Sequence, residues 1–262
     1  MRQLVRAEIR KLTTTRMWLG LSLGGLALVA IYVLVIAFTA GNTRNGGDNA
    51  LPPLTNPASV RMVYGVPFEI GYLMPLLLGV VMICGEFRHR TITPTFLATP
   101  RRSRVLAAKM IVAAGAGMVM GVLFTALAAT LGAIVIAARG YPVLLTSDDI
   151  PRMLALMAIG LGVWCVFGLG FGALLQNQIA AIVTALALVT IVEGVLTLFL
   201  GWISLDSIAQ YLPSNASRAI IEPANVRHAA LLTWWAGGLV LLAWGVVAAV
   251  LGSLLTLRRD VT

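Results

Sequence analysis

The feature that most limits how this chain can fold is a series of apolar runs, each near the roughly 20 residues a helix needs to cross hydrocarbon. There are six: Trp18–Ala40, about Phe68–Gly85, Met110–Ala138, Met153–Leu175, Ile179–Phe199 and Leu232–Leu257. Inside a bilayer every backbone N–H and C=O must be satisfied within the protein, so runs of this kind form helices. Composition agrees: 59% of the 262 residues are hydrophobic and 11% are charged, against roughly a quarter charged in soluble domains. The expected fold is all-α, a polytopic membrane protein with six transmembrane helices in one domain covering residues 1–262. The first run is 23 residues, longer than the 7–15 of a secretory signal core, and reads as a retained span. Pro75 is expected to kink the second.

Basic residues give the orientation. Arg2, Arg6, Arg10, Lys11, Arg16, Arg88, Arg90, Arg101, Arg102, Arg104, Lys109, Arg258 and Arg259 flank the spans on one side, and Arg44, Arg61, Arg139, Arg152, Arg218 and Arg227 on the other, 13 against 6. Positive-inside bias makes the richer side cytoplasmic, with both termini in the cytosol. The net charge of +9 therefore reflects membrane orientation. No basic face interleaved with aromatics is present to suggest nucleic-acid binding. Cys84 and Cys165 lie in apolar runs and read as packed, reduced thiols.

Residues 1–17 precede the first span. Val5, Ile9 and Leu12 follow helical spacing while Arg2, Arg6 and Arg10 lie on other faces. Two readings fit: an amphipathic helix lying in the inner headgroup layer, with Arg6, Arg10 and Lys11 near membrane lipids, or simple charged flanking. The cytosolic stretch 86–109 contains Thr93-Pro94 and Thr99-Pro100, each pairing an N-cap residue with proline at the first helical position. A short helical turn from Pro94 to Ala98 is expected, then a new helix from Pro100 into the third span. Ile92, Phe96 and Leu97 lie among charges there, suited either to dock on another protein or to dip into the bilayer interface.

The run Gly85-Glu86-Phe87-Arg88-His89-Arg90-Thr91-Ile92, followed by Pro100-Arg101-Arg102-Ser103-Arg104 and Lys109, resembles the signature of ABC-2 type transporter permeases, the membrane subunits of bacterial ABC exporters. Arg90 replaces the glycine usual before the threonine. The six-helix layout and the external Tyr211-Leu212-Pro213-Ser214-Asn215-Ala216 look like the same family. The resemblance implies a bacterial plasma-membrane permease that pairs with a second permease subunit, identical or related, and with two ABC ATPase subunits. It implies that 1–17 is a connecting helix and that 86–109 is a coupling segment, with Glu86, Arg88, Thr91, Phe96, Pro100, Arg104 and Lys109 transmitting motion. It also implies that 201–233 is a helical hairpin at an outer gate that includes Tyr211 and Pro213.

The sequence carries no chemistry of its own. The phosphate cradle G-x-x-x-x-G-K-[ST] needs a Gly-Lys pair, and none occurs. ATP would be bound by the partner subunit, so neither a cofactor nor enzymatic activity is expected of this chain. His89 and His228 are isolated and fall on opposite sides of the membrane, which leaves no metal cluster.

Glu193 is the carboxylate well inside a predicted span, about 21 Å along the fifth helix at 1.5 Å per residue. It reads as a polar lining of the export path or a partner for a cationic substrate, or else as a buried carboxyl, protonated or hydrogen-bonded, pinning its helix to neighbours. Gly20/Gly24, Gly117/Gly121 and Gly168/Gly172 fit G-x-x-x-G and serve packing within the subunit or between subunits. In the external stretch, Asp206–Leu212 and Ser214–Ile221 are too short to span and suit re-entrant or interfacial helices, or an ordinary extracellular loop. Two other functional classes stay open: a secondary transporter, which would show paired ionisable residues in repeated halves, and a non-transporting sensor or immunity subunit.

Overall fold

A computed structural model of the chain describes residues 1–41, 52–88, 102–147, 150–175, 177–221 and 232–258. Its helices are α1 (Arg2–Thr14), α2 (Met17–Thr39), α3 (Pro57–Val66), α4 (Leu73–Arg88), α5 (Arg102–Ala138), α6 (Ile150–Leu174), α7 (Gln178–Ala187), α8 (Glu193–Trp202), α9 (Asp206–Ala209), α10 (Pro213–Ile221) and α11 (Trp234–Arg258). No strand occurs among the described residues. π-helical turns, Pro67–Gly71 and Leu188–Val192, join α3 to α4 and α7 to α8. Among the described residues, five continuous helices are long and apolar enough to cross a membrane: Met17–Thr39, Pro57–Arg88, Ser103–Ala138, Ile150–Leu174 and Gln178–Trp202. The chain is therefore a multi-pass helical membrane protein. α11 is a further apolar helix of 25 residues.

The second crossing differs from the sequence expectation. The segment Gly41–Pro67 reads as a partly irregular loop, yet helix begins at Pro57, where the Asn56 side chain accepts the Ala58 N–H at 2.9 Å. An asparagine N-cap followed by proline is a strong start signal, and Val60, Val63, Tyr64 and Val66 behind it are buried. The irregularity expected at Pro75 is accompanied by the π turn just ahead of it. Pro75 has no N–H to offer the Gly71 carbonyl, and Gly71 closes that turn.

α6 lies at the centre, packed on α4, α5 and α11. Glycines allow this approach. A Cβ on Gly79 would fall on the Cys165 carbonyl oxygen, one on Gly168 on that of Leu76, and one on Gly121 would stand 2.5 Å from that of Ala158. Gly117 and Gly172 are similarly hemmed in by α6 and α4 respectively. These two G-x-x-x-G pairs therefore serve packing within the chain. Around Gly20 and Gly24, by contrast, nothing lies within 4 Å of a built Cβ.

The far ends of the spans are finished locally. Gly140 takes positive φ and ends α5 in a Schellman motif, with Tyr141 N–H donating to Ile136 C=O at 3.1 Å and Gly140 N–H to Ala137 C=O at 2.9 Å. Arg139 donates to the carbonyls of Ala37 and Ala40 at the end of α2, where the helix dipole favours a cation. Asn177 caps α7 by accepting from Ile179 and Ala180 N–H at 3.0 and 3.2 Å. Cys84 and Cys165 are free and buried.

Candidate functional site

Polar groups gather at both ends of the bundle. At the end where α1, the last turn of α4 and the first turns of α5 meet, four charged side chains form a closed ring. Lys11 Nζ lies 2.8 Å from Glu8 and 2.7 Å from Glu86, and Lys109 Nζ lies 2.6 Å from Glu8 and 2.7 Å from Glu86. Glu8, Glu86 and Lys109 are buried, and Lys11 keeps 44% of its side chain exposed. Alternation of sign lets each buried charge meet two of the opposite kind, which offsets the desolvation that makes an isolated pair costly.

The ring unites residues that the sequence places in separate units. Lys11 belongs to the expected membrane-surface helix, and Glu86 and Lys109 to the expected coupling segment. Glu8 went unnoticed as a site residue, although it is the lone carboxylate among the basic residues of α1 and sits one turn before Lys11. Its burial also turns the helix. Glu8 faces the bundle, Leu12 packs against the core and Ile9 is 47% exposed, so the Val5, Ile9 and Leu12 stripe is split between protein and surface. Arg6 and Arg10 are exposed on α1. Arg88 is exposed and donates to Gln178 Oε1 at 3.3 Å, and Arg104 is exposed on the first turn of α5. Thr91, Phe96 and Pro100, with the expected turn Pro94–Ala98, lie outside the described residues.

Burial works against ionisation of Glu8, but the ammonium groups of Lys109 and Lys11 outweigh it and hold the carboxyl below its ordinary 4.5. Burial likewise disfavours charged Lys11, and Glu8 and Glu86 outweigh it, raising the amine above 10.5. Glu8 thus stabilises docking of α1 above its ordinary value, and loses this as pH falls through the lowered one. Lys11 contributes below 10.5 and loses its contribution as pH rises through the raised value. Hydrogen exchange over α1 should therefore stay flat between roughly pH 5 and 10 after correction for intrinsic rates, and rise outside that window. A step inside the window would reject the ring as the tether.

At the opposite end, the fifth span is followed by two short helices, α9 and α10. α10 packs on α11 and α6, with Pro213, Ala216, Ser217 and Ala219 buried. The buried Trp164 indole donates to Ser217 Oγ at 3.0 Å, and Trp244 Nε1 donates to the Tyr211 carbonyl at 2.8 Å. Pro213 occupies the first helical position of α10, and the Tyr211 side chain is exposed.

Glu193 is 5% exposed at the start of α8, and its Oε2 accepts the Ser214 N–H at 2.8 Å. This N–H belongs to the first turn of α10, whose free donors and dipole favour a carboxylate. Glu193 thus fastens α10 to the fifth crossing. Its other oxygen, Oε1, is buried without a partner. Glu69 and Arg218 pair at 3.3 Å nearby. Among the described residues, no group of three His, Cys, Asp or Glu side chains is placed to hold a metal. No protein-family profile matches the chain, and no curated protein is similar to it in sequence.

Proposed function

We propose that this chain is the permease subunit of an ATP-driven bacterial exporter, with six spans, both termini in the cytosol, and a separate ATPase pressing on the bend between α4 and α5. The observation that supports this most is the buried ring of Glu8, Lys11, Glu86 and Lys109. A motor pushing on a loop between two helices moves a gate only if the loop ends are rigidly joined to the rest of the bundle. The ring makes that joint, binding the surface helix α1 to both helices that enter the bend. Charge asymmetry puts this end in the cytosol, where an ATPase would sit. A second permease copy would complete a two-fold assembly, and the unfilled Gly20/Gly24 face of α2 is free to receive it.

Co-purification with an ATP-hydrolysing companion from the native membrane is the expected result. In the reconstituted complex, Glu86→Ala should leave ATP hydrolysis running while transport falls at least about tenfold, the scale of one lost charged contact. Failure to recover any ATPase partner, or cysteine labelling of the α4–α5 bend from outside the cell, would reject the proposal.

A further inference from the structure

A cavity of about 490 Å³ lies at the end near α9 and α10, between the second, fourth and fifth crossings and α10. Both π turns reach it: Phe68, Glu69 and Ile70 come from the first, Val189 and Thr190 from the second. A π turn widens a helix by one residue and costs hydrogen-bond quality, and such turns recur at functional sites. The first lies beside the N–H missing at Pro75, and both bring their widened backbone to this one cavity.

The charges of this cavity are not balanced. Glu69 and Arg218 pair with each other at the rim, both more than a third exposed. Glu193 gives one oxygen to the Ser214 N–H, while Oε1 and the neighbouring Ser214 hydroxyl are both buried without a hydrogen-bond partner. A buried carboxylate oxygen left without a hydrogen bond is costly, and more so if charged. Facing it is an aromatic wall of Phe68, Tyr72 and Trp164, the last two with ring centroids 4.6 Å apart. Carboxylate and aromatic rings together favour a cation over an anion or a neutral molecule. Access runs along the fifth crossing, where the lining residues Thr190, Gly194 and Leu198 are exposed beside the equally exposed Ile191 and Val195. A ligand arriving over that apolar face must itself be partly apolar.

We propose that this cavity binds an amphipathic ammonium ion, its N–H donating to Glu193 Oε1 and its apolar body lying on the aromatic wall. As the substrate class of the exporter, the assignment rests on the export reading. As a binding site it stands without an ATPase. The ring at the other end also leaves one oxygen, Glu86 Oε2, buried without a hydrogen bond, but two lysines there already neutralise its two carboxylates and leave no net charge for a further cation.

The test is equilibrium binding of tritiated propranolol, a protonated secondary amine on an aromatic body, to the full chain in phosphatidylcholine nanodiscs, with empty discs subtracted and imipramine as competitor. Saturable, competed binding is expected. Glu193→Gln keeps an oxygen for the Ser214 N–H but removes the charge, and should weaken binding about tenfold or more. Gly194→Leu should do the same by filling the cavity, since a built Cβ there meets nothing within 4 Å and the fold should be undisturbed. Both variants should keep the wild-type Tm. N-acetyl propranolol, which has the same body and no charge, should not compete. Equal affinity in Glu193→Gln, competition by the acetyl derivative, or no saturable binding to the wild type would each overturn the assignment. Because no nucleotide or ATPase takes part, such a failure leaves the export reading to its own co-purification test.

Discussion

Replacing Lys109 with methionine should destabilise the purified protein by about 3–5 kcal/mol, the range for removing one partner from a buried ion pair. Lys109 is the least exposed member of the ring, with 3% of its side chain accessible. It contacts both carboxylates. Without it Glu8 and Glu86 would face each other with Lys11 alone between them, and Lys11 is partly screened by solvent. The expected readouts are a lower Tm in detergent and faster hydrogen exchange over α1. Lys11→Met should cost much less, because 44% of its side chain is exposed to solvent. Adding Glu8→Gln to Lys109→Met should restore part of the loss by removing one uncompensated charge. If Lys109→Met and Lys11→Met had equal and small effects, the ring would not be what joins α1 to the bend.

Gly79→Val should prevent accumulation of folded protein, while Gly20→Val should be tolerated. Both glycines lie in apolar helices, and sequence alone gives no reason to separate them. At Gly79 the new Cβ falls on the Cys165 carbonyl oxygen and stands 2.6 Å from the Leu169 nitrogen, all backbone of α6. Overpacking against movable side chains typically costs 1–3 kcal/mol. Here no rotamer change gives relief, so the two helices would have to separate and take α6 away from its central packing. At Gly20 the new side chain meets no protein atom within 4 Å, and valine is readily solvated by lipid. Size-exclusion profiles of fluorescently tagged variants read both outcomes directly. A monodisperse Gly79→Val protein with the wild-type Tm would show that the α4–α6 contact is looser than these distances require.

Several elements were legible from residue pattern because they depend on near neighbours in the chain. The start of α7 at Gln178 lies one residue from the start of the apolar run at Ile179, and α9 and α10 fall within the two short apolar pieces on either side of Pro213. The π turn beside Pro75 was half legible: the missing N–H marks the place, but whether the helix kinks or widens depends on what packs there. Glu193 shows the limit more sharply. Its depth in the fifth crossing can be counted along the helix, and both a pinning role and a path role fit that depth. The hydrogen bond to Ser214, 21 residues away, supplies the pinning role. The free second oxygen keeps room for a ligand.

Taken by itself, the sequence determined that this is a helical membrane protein, where most of its helices run and which end carries the positive charge, since apolar length and basic flanks act on each segment separately. Tertiary structure alone decided which glycines are contacts, that Glu8 turns inward beside Glu86, and that two lysines 98 residues apart share the same pair of carboxylates. The physical reason is that a charge or a missing Cβ has no consequence until another helix is brought within a few ångströms of it, and the bilayer that orders the spans is indifferent to which of them become neighbours.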